Sequence, residues 1–241
     1  MQVKHRYLLR SHKLQPVLQD EWLGVPIIYL SSETDSERQL EVLIKAGDDF
    51  LTKPISDNAL IVAIFARAQR ARQLSEVMTK DSLTGLLQHA HIKERLANEL
   101  VRSMRQQQQV SVVMLDIDHF KRVNDEHGHA AGDNVIRALA NLLRQRLRRI
   151  DSLGRYGGEE FLVVLPDCPA EQARRILDEI RQRFAEIQFS AQPHDLSCTF
   201  SCGIAQLAPQ LDSKQLSQQA DLALYVAKHG GRNQVAIHQT D

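Results

Sequence analysis

Three groups of residues in this 241-residue chain have the types and spacing of reactive chemistry. The first is Asp116 and Asp118, which close the otherwise apolar run VSVVMLDID. Side chains two apart on a strand face the same way, so both carboxylates would project from one face at the rim of a sheet. A buried carboxylate without a partner is costly, and a cation should sit beside it. Mg²⁺ suits the position, because it takes one or two carboxylates and fills its octahedron with water and phosphate oxygens. An apolar strand that merely ends in solvated aspartates is the plainer reading, and further residues are needed to displace it.

The second group supplies them. Gly157-Gly158-Glu159-Glu160 reads as a hairpin tip, where two glycines remove every Cβ and let a flat base or a phosphate approach the main chain. Tight two-residue hairpins require positive φ, which glycine tolerates. Glu159 and Glu160 add negative charge at a sheet edge, where like charges repel unless a cation neutralises them. With a second acidic cluster on a neighbouring strand, a divalent-metal site explains the pattern better than a solvated turn, and the chemistry it suits is phosphoryl transfer. The third group is cationic. Lys228 and Arg232 in AKHGGRNQ are four apart, so a continuing helix would set them on one face, suited to a polyphosphate. Neutralisation of a helix C-terminal dipole is the competing reading.

The elements that must position these groups follow from periodicity. VSVVMLDID is apolar on both faces and is expected at the centre of its sheet. LGRYGGEEFLVVLP reads as two strands around Gly157-Gly158. Helical spacing appears over His89 to Gln107 (Ile92, Leu96, Leu100, Met104), Asn134 to Arg149, Ala170 to Ile187 and Asp212 to His229, with strands at Leu196 to Gln206 and Gln234 to His238. HFKRVNDEHGHAAGD reads as a polar, Gly-punctuated connection. Upstream, Val25 to Ser32 and Phe50 to Pro54 read as short buried strands. Between them lies an amphipathic segment with Leu40, Val42, Leu43 and Ile44, stopped at Ala46-Gly47. Asp57 is a plausible N-cap for a long helix in which Leu60, Ile64, Arg67, Ala71, Leu74 and Met78 form a short heptad seam.

Composition excludes several classes. Lys+Arg 30 balances Asp+Glu 30, so the chain is neither a bulk nucleic-acid binder nor a polyanion. A hydrophobic share of 43% with 25% charged residues is that of a packed globular protein, and the length suggests two units. The longest apolar run is eight residues, Ala59 to Ala66, where a membrane span needs about 20. No secretory leader is apparent. Cys168, Cys198 and Cys202 have no metal-ligand spacing and read as reduced, buried thiols, so a cytoplasmic location is expected.

Two resemblances sharpen these readings. Residues 25 to about 75 resemble the last part of a response-regulator receiver domain, with Ser31 at the switch Ser/Thr and Lys53-Pro54 at the end of the last strand. The phosphoacceptor aspartate would fall at or before Met1, which implies a partial, flavodoxin-like receiver segment over 1–75 that is not phosphorylated in the family's way. A helical linker runs to about residue 80. From Asp81 to His238 the chain is similar to the GGDEF family of diguanylate cyclases. The residues that carry this are DSLTGL, LDIDHFKRVNDEHGHAAGD, RYGGEEF, SCGIA and ADLALYVAKHGGRN, in family order, with Gly157 to Phe161 in the GGEEF form.

That resemblance implies an α/β (α+β) domain over 81–241. Its central, mostly antiparallel sheet would be flanked by helices, as in nucleotidyl cyclases and polymerase palms. It implies Asp116, the Ile117 carbonyl, Glu159 and Glu160 as ligands of Mg²⁺, with Mn²⁺ as an alternative, and Glu159 as the group that helps deprotonate the attacking hydroxyl. Asn124 and Asp133 match contacts to the guanine edge, and Lys121, Lys228 and Arg232 match phosphate contacts, beside Gly157 and Gly158. The implied reaction joins two GTP into cyclic di-GMP across a homodimer, with Arg148, Asp151 and Arg175 as a site where the product inhibits. No nucleic-acid partner and no membrane span are implied. Gln88-His89-Ala90 departs from the family's Asn-Arg-Arg element. A non-catalytic nucleotide-sensing module is the main alternative, and a scaffold that pairs with a regulator is a weaker one.

Overall fold

The computed structural model describes residues 26–239 apart from 33, 38, 41–43, 45–48, 193 and 209–210. The chain divides into two compact units, Met1–Met78 and Thr79–Asp241. Val25, the Val42-Leu43 pair, Ala46-Gly47 and the region upstream of Val25 lie outside the described residues.

In the first unit, β1 (Ile28–Ser31) and β2 (Asp49–Thr52) pair in parallel, Ile28 opposite Asp49 through Ser31 opposite Thr52. The Lys53 N–H donates to the Ser31 carbonyl at 2.7 Å, which brings the two receiver-like positions together through the main chain. α1 (Asp57–Thr79) begins one residue earlier than the N-cap reading requires. The Ser56 hydroxyl, rather than Asp57, accepts the Ala59 N–H at 3.3 Å. Arg67, the odd member of the heptad seam, donates to Asp49 of β2 at 2.9 Å, so it has a partner within its own unit. Ile64, Leu74 and Met78 of the same seam are exposed.

The second unit is built on a five-stranded sheet in the order β4-β5-β3-β6-β7. Its strands are β3 (Val110–Ile117), β4 (Ser152–Arg155), β5 (Glu160–Pro166), β6 (Phe200–Gln206) and β7 (Val235–Ile237). β3 lies at the centre, antiparallel to both β5 and β6, and only the β6–β7 pair is parallel. Every residue of β3 is buried, as its two apolar faces require. The strand at 196–206 is shorter than its apolar pattern suggested. Regular pairing starts at Phe200, and Leu196 makes an isolated bridge to Phe189.

Period-two alternation sorts the strand residues between two cores. Val113, Leu115 and Ile117, with Phe161, Val163 and Leu165, pack against Val135, Leu139 and Leu143 of α4 (His129–Arg146) and Leu177, Ile180 and Phe184 of α5 (Ala170–Ala185). On the opposite face Val112 and Met114, with Leu162 and Val164, meet Ile92, Leu96 and Leu100 of α2 (His89–Gln106) and Leu216, Ala220 and Leu224 of α6 (Ser213–His229). By the same parity Asp116 and Glu160 belong to the face that α6 covers. α6 has a reciprocal capping box between Asp212 and Gln215, as the sequence at its start allows.

One reading is corrected here. HFKRVNDEHGHAAGD is not an irregular connection: it forms α3 (Phe120–His127), a single Gly128 with φ +80°, and the first turns of α4. Polar composition hid the helix, whose buried side is only Phe120 and Val123. The three cysteines are free and buried. Burial raises the thiol of Cys198 to about 11 and that of Cys202 higher still, so both stay protonated near neutrality. Among the described residues no helix is long and apolar enough to cross a membrane.

Candidate active site

β3 carries Asp116 to the sheet rim, where its Cα pairs with Glu160 of β5 on one side and Ser201 of β6 on the other. The residue is only 7% exposed. Burial pushes its pKa up to about 6; Lys228 opposes that rise, and the neighbouring charges of Glu159 and Glu160 add to it. Lys228, in the last turn of α6, reaches across with Nζ 2.9 Å from the Asp116 carboxylate. A desolvated carboxylate with two like-charged neighbours favours a bound cation.

Asp116, Glu159, Glu160 and the adjoining main-chain carbonyl of Ile117 could offer only hard oxygen donors, the kind that suits Mg²⁺ or Mn²⁺. Among the described residues no three His, Cys, Asp or Glu side chains are gathered closely enough to hold an ion by themselves. Mg²⁺ chemistry does not require that, since phosphates and water complete its shell. Asp118 does not share the cluster. The strand ends before it, and its carboxylate accepts from Thr199 and Ser201, each at 2.7 Å, and from the Asn233 N–H at 3.0 Å. The two aspartates therefore have separate partners: Asp116 meets Lys228, and Asp118 meets β6 and Asn233.

Next to the acidic rim is a cavity of about 350 Å³ lined by Phe120, Lys121, Asn124, His129, Asp133, Ile136, Arg155, Gly158 and Glu159. Five sequence-predicted residues, Lys121, Asn124, Asp133, Gly158 and Glu159, thus face one space. α3 carries Lys121 and Asn124, α4 carries Asp133, and the β4–β5 tip carries Gly158 and Glu159; Gly132 lets the two helices approach. A Cβ built there would stand 2.1 Å from the Asn124 Oδ1 and 3.0 Å from Phe120, so a side chain would drive Asn124 from its place. Asp133 lies one residue further on and has Arg137 at 3.9 Å.

The tip between β4 and β5 is wider than a two-residue hairpin. The Glu160 carbonyl accepts both the Tyr156 N–H at 2.8 Å and the Gly157 N–H at 3.3 Å. Neither Gly157 nor Gly158 has the positive φ that a tighter turn would demand. A Cβ on Gly158 would meet nothing within 4 Å, so a ligand can come up to the main chain there, whereas one on Gly157 would collide with the Glu160 carboxylate at 2.4 Å.

Arg155 holds this tip from inside. It donates to the Gly158 carbonyl at 3.0 and 2.7 Å and pairs with Asp81 at 3.1 Å. Asp81 is fixed in turn by the N–H and hydroxyl of Thr84 at 2.8 and 2.6 Å. Although burial alone would raise its pKa, Thr84 and Arg155 bring it below the ordinary 3.8. Arg155→Met should lower stability by about 1–2 kcal/mol at pH 7, as judged by urea denaturation. Because the folded-state pKa of Asp81 is depressed, that cost should be full above the ordinary carboxylate value. It should shrink as the pH falls below about 3.8. A cost that does not change with pH would show that the ion pair is not its source.

Lys228 and Arg232 do not share a helical face. α6 stops at His229, and the chain turns through Gly231, Arg232 and Asn233 with φ of +111°, +63° and +46°. Gln88 and His89 fit the entry to α2: the Gln88 amide donates to the Lys80 carbonyl at 2.7 Å, and His89 Nδ1 bonds the Tyr156 carbonyl at 2.6 Å while its ring lies 4.3 Å from that of Tyr156.

The Arg148–Asp151 turn is closed on itself. The Arg148 guanidinium meets Asp151 at 2.8 Å and the Pro166 carbonyl at 2.8 Å, and Asp151 also accepts the Arg148 N–H at 2.7 Å. The bond to Asp151 raises the pKa of Arg148 further. Arg175 is an exposed residue of α5.

The acidic rim, the helix-lined cavity and the glycine tip occur together in one domain, and residues 78–234 match the family model described as diguanylate cyclase, GGDEF domain. The chain belongs to the GGDEF family. Diguanylate cyclase DgcP of Pseudomonas aeruginosa is 41% identical over 157 residues, which are 65% of this chain and 23% of that protein. Response regulator PleD of Caulobacter vibrioides is 32% identical over 224 residues, 88% of this chain and 49% of that protein. The chain therefore spans between 23% and 49% of the length of these two curated relatives. Among solved structures, the GGDEF domain of DgcB from Caulobacter crescentus in complex with c-di-GMP matches with a TM-score of 0.66 and 32% identity, covering 68% of this chain and 94% of that one. The active GGEEF domain of a diguanylate cyclase from Vibrio cholerae matches with a TM-score of 0.61 and 32% identity, covering 65% of this chain and 99% of that one.

Within this GGDEF domain, Phe120, His129, Ile136 and Arg155 line the cavity and were not singled out from sequence. The spacing contains the signal. Phe120 with Asn124, and His129 with Asp133 and Ile136, fall at i, i+4 and i, i+4, i+7, which reads as two cavity-facing helix sides once the segment is taken as helical.

Proposed function

We propose that the Thr79–Asp241 unit joins two GTP molecules into cyclic di-GMP with release of two pyrophosphates, as half of a site that a second copy of the domain completes. One observation carries this reading: the acidic rim of Asp116, Glu159 and Glu160 adjoins a single cavity that also presents Lys121, Asn124 and Asp133 beneath the open Gly158 main chain.

The residues divide the work by their chemistry. Asp133 can only accept, so it suits the N1 and N2 donors of guanine, and the Asn124 amide serves the remaining edge. Lys121, Lys228 and Arg232 supply the cationic contacts of the triphosphate. Asp116, the Ile117 carbonyl, Glu159 and Glu160 would hold Mg²⁺ or Mn²⁺, which supplies charge neutralisation at the phosphates and an acidified hydroxyl. Glu159 accepts the proton of the 3′-hydroxyl as its oxygen attacks the α-phosphate of the facing nucleotide in line, and pyrophosphate leaves. Lys228 keeps Asp116 paired before the nucleotide arrives. Since one domain offers one nucleotide and one set of these groups, two chains must face each other. The exposed seam of α1 and the receiver-like segment over 1–75 are our candidates for bringing them together. The alignment with a response regulator supports that segment.

We assign the product site to Arg148, Asp151 and Arg175; that the similar DgcB domain was solved in complex with c-di-GMP supports binding of the product by a domain of this kind. Arg forks suit phosphates and stack on guanine, and here the product would have to compete with Asp151 for the Arg148 guanidinium. Arg148→Ala should raise the cyclic di-GMP concentration that halves the rate by about tenfold or more, the scale of one charge-assisted contact. An unchanged inhibition curve rejects the site. The reading as a whole is tested by incubating the protein with GTP and Mg²⁺ and following cyclic di-GMP by mass spectrometry.

A further inference from the structure

We infer that Asp118 is a positioning residue for the phosphate-binding turn: it ties Asn233 to the end of β3 and so sets the course of the main chain at Arg232. Asp118 is 4% exposed, and among the described residues its carboxylate has three partners, none of them cationic. Two are hydroxyls at the start of β6, Thr199 to Oδ2 and Ser201 to Oδ1, each at 2.7 Å. The third is the Asn233 N–H, 3.0 Å from Oδ2 and 115 positions away in the chain. The Asp118 N–H itself donates to the Thr199 carbonyl at 2.9 Å, which fixes the residue against β6.

What is tied is a backbone that would not keep this path alone. Arg232 and Asn233 both hold left-handed φ, which side-chain-bearing residues rarely adopt and which persists only where the surroundings enforce it. The turn is clamped on its other side by Arg181 of α5, whose guanidinium donates to Asn233 Oδ1 at 2.7 Å and to Asp178 at 2.8 Å. The Arg232 N–H donates to the Ala227 carbonyl at 3.1 Å, joining the turn to the end of α6. The two aspartates of the D-x-D pair thus perform different tasks at one place: Asp116 holds Lys228 of α6 through its ammonium, and Asp118 holds the turn that follows α6 through a main-chain N–H.

This inference rests on the proposed role of Arg232 at the GTP phosphates, so its test has one readout that does not use GTP. In the ligand-free protein, hydrogen exchange at Asn233 should accelerate by about a hundredfold in Asp118→Ala and remain close to wild type in Asp118→Asn. In the asparagine variant, the amide oxygen still takes the N–H and its NH₂ group can donate to a hydroxyl. With GTP and Mg²⁺, Asp118→Ala should raise KM about tenfold with a smaller change in kcat, Asp118→Asn should recover to within about threefold of wild type, and Asp118→Ala combined with Arg232→Ala should be no worse than the more damaging single change. Should the alanine variant fail to fold, Asp118→Ser keeps a hydroxyl for its neighbours and is too short to reach Asn233.

Unchanged exchange at Asn233 overturns the tether. Accelerated exchange with KM effects that multiply with those of Arg232→Ala overturns its action through Arg232. An asparagine variant as impaired as the alanine one, with a raised Mg²⁺ requirement, would instead make Asp118 a metal ligand. Wild-type protein that shows no GTP turnover or binding defeats the proposed function, while the exchange result still decides the tether.

Discussion

Replacing Glu159 with glutamine should lower cyclic di-GMP formation by a thousandfold or more while leaving the thermal transition where it was. Glu159 stands in the turn before β5, half-buried at the cavity wall, and outside both core clusters, so its loss costs the fold little. It is asked to do two things that an amide cannot: accept the hydroxyl proton, worth about 10²–10⁴ in rate for a positioned base, and lend a charge to the ion at the rim. Steady-state rates with a saturating range of Mg²⁺ check this. A variant that keeps a tenth of wild-type turnover would remove Glu159 from the chemistry.

The second large effect concerns Asp116 and has opposite signs for activity and stability. Its pKa is pushed up to about 6 because burial and two neighbouring carboxylates disfavour the charged form more than Lys228 favours it. Between the ordinary value of 3.8 and about 6 the folded protein binds a proton more tightly than the unfolded chain does. Stability of the ion-free protein should therefore fall as pH rises through that window and stay low above it. Asp116→Asn removes the ionisable group, so in EDTA the variant should be more stable than wild type above pH 6 by about 1–3 kcal/mol, with little difference near pH 4. Added Mg²⁺ should raise the melting temperature of wild type and not that of the variant. Turnover by the variant should be negligible. Denaturation curves at several pH values decide the matter, and a variant less stable than wild type at pH 8 in EDTA would contradict the reading of the rim as an electrostatically strained cation seat.

Much of this was legible in the sequence. The apolar residues on both faces of VSVVMLDI placed β3 at the sheet centre, and the reading set a second acidic cluster on a neighbouring strand, where Glu160 of β5 does pair with Asp116. What escaped has physical causes. α3 and the start of α4 bury few side chains, so they lack the apolar stripe by which helices are recognised. The separation of Lys228 from Arg232 depends on where α6 ends, and helix ends turn on a single residue's φ. The tasks of Asp118 and Arg155 depend on partners 115 and 74 positions away, which no local pattern can announce.

The central claim is the joining of two GTP molecules, and the most direct measurement is product formation by the purified protein with GTP and Mg²⁺ over a range of protein concentrations. We predict cyclic di-GMP and pyrophosphate, with a rate that rises as the square of protein concentration wherever the chains are mostly apart, because each site needs two of them. A protein that binds GTP and forms dimers but yields no cyclic di-GMP, even as Arg148→Ala, would contradict the account.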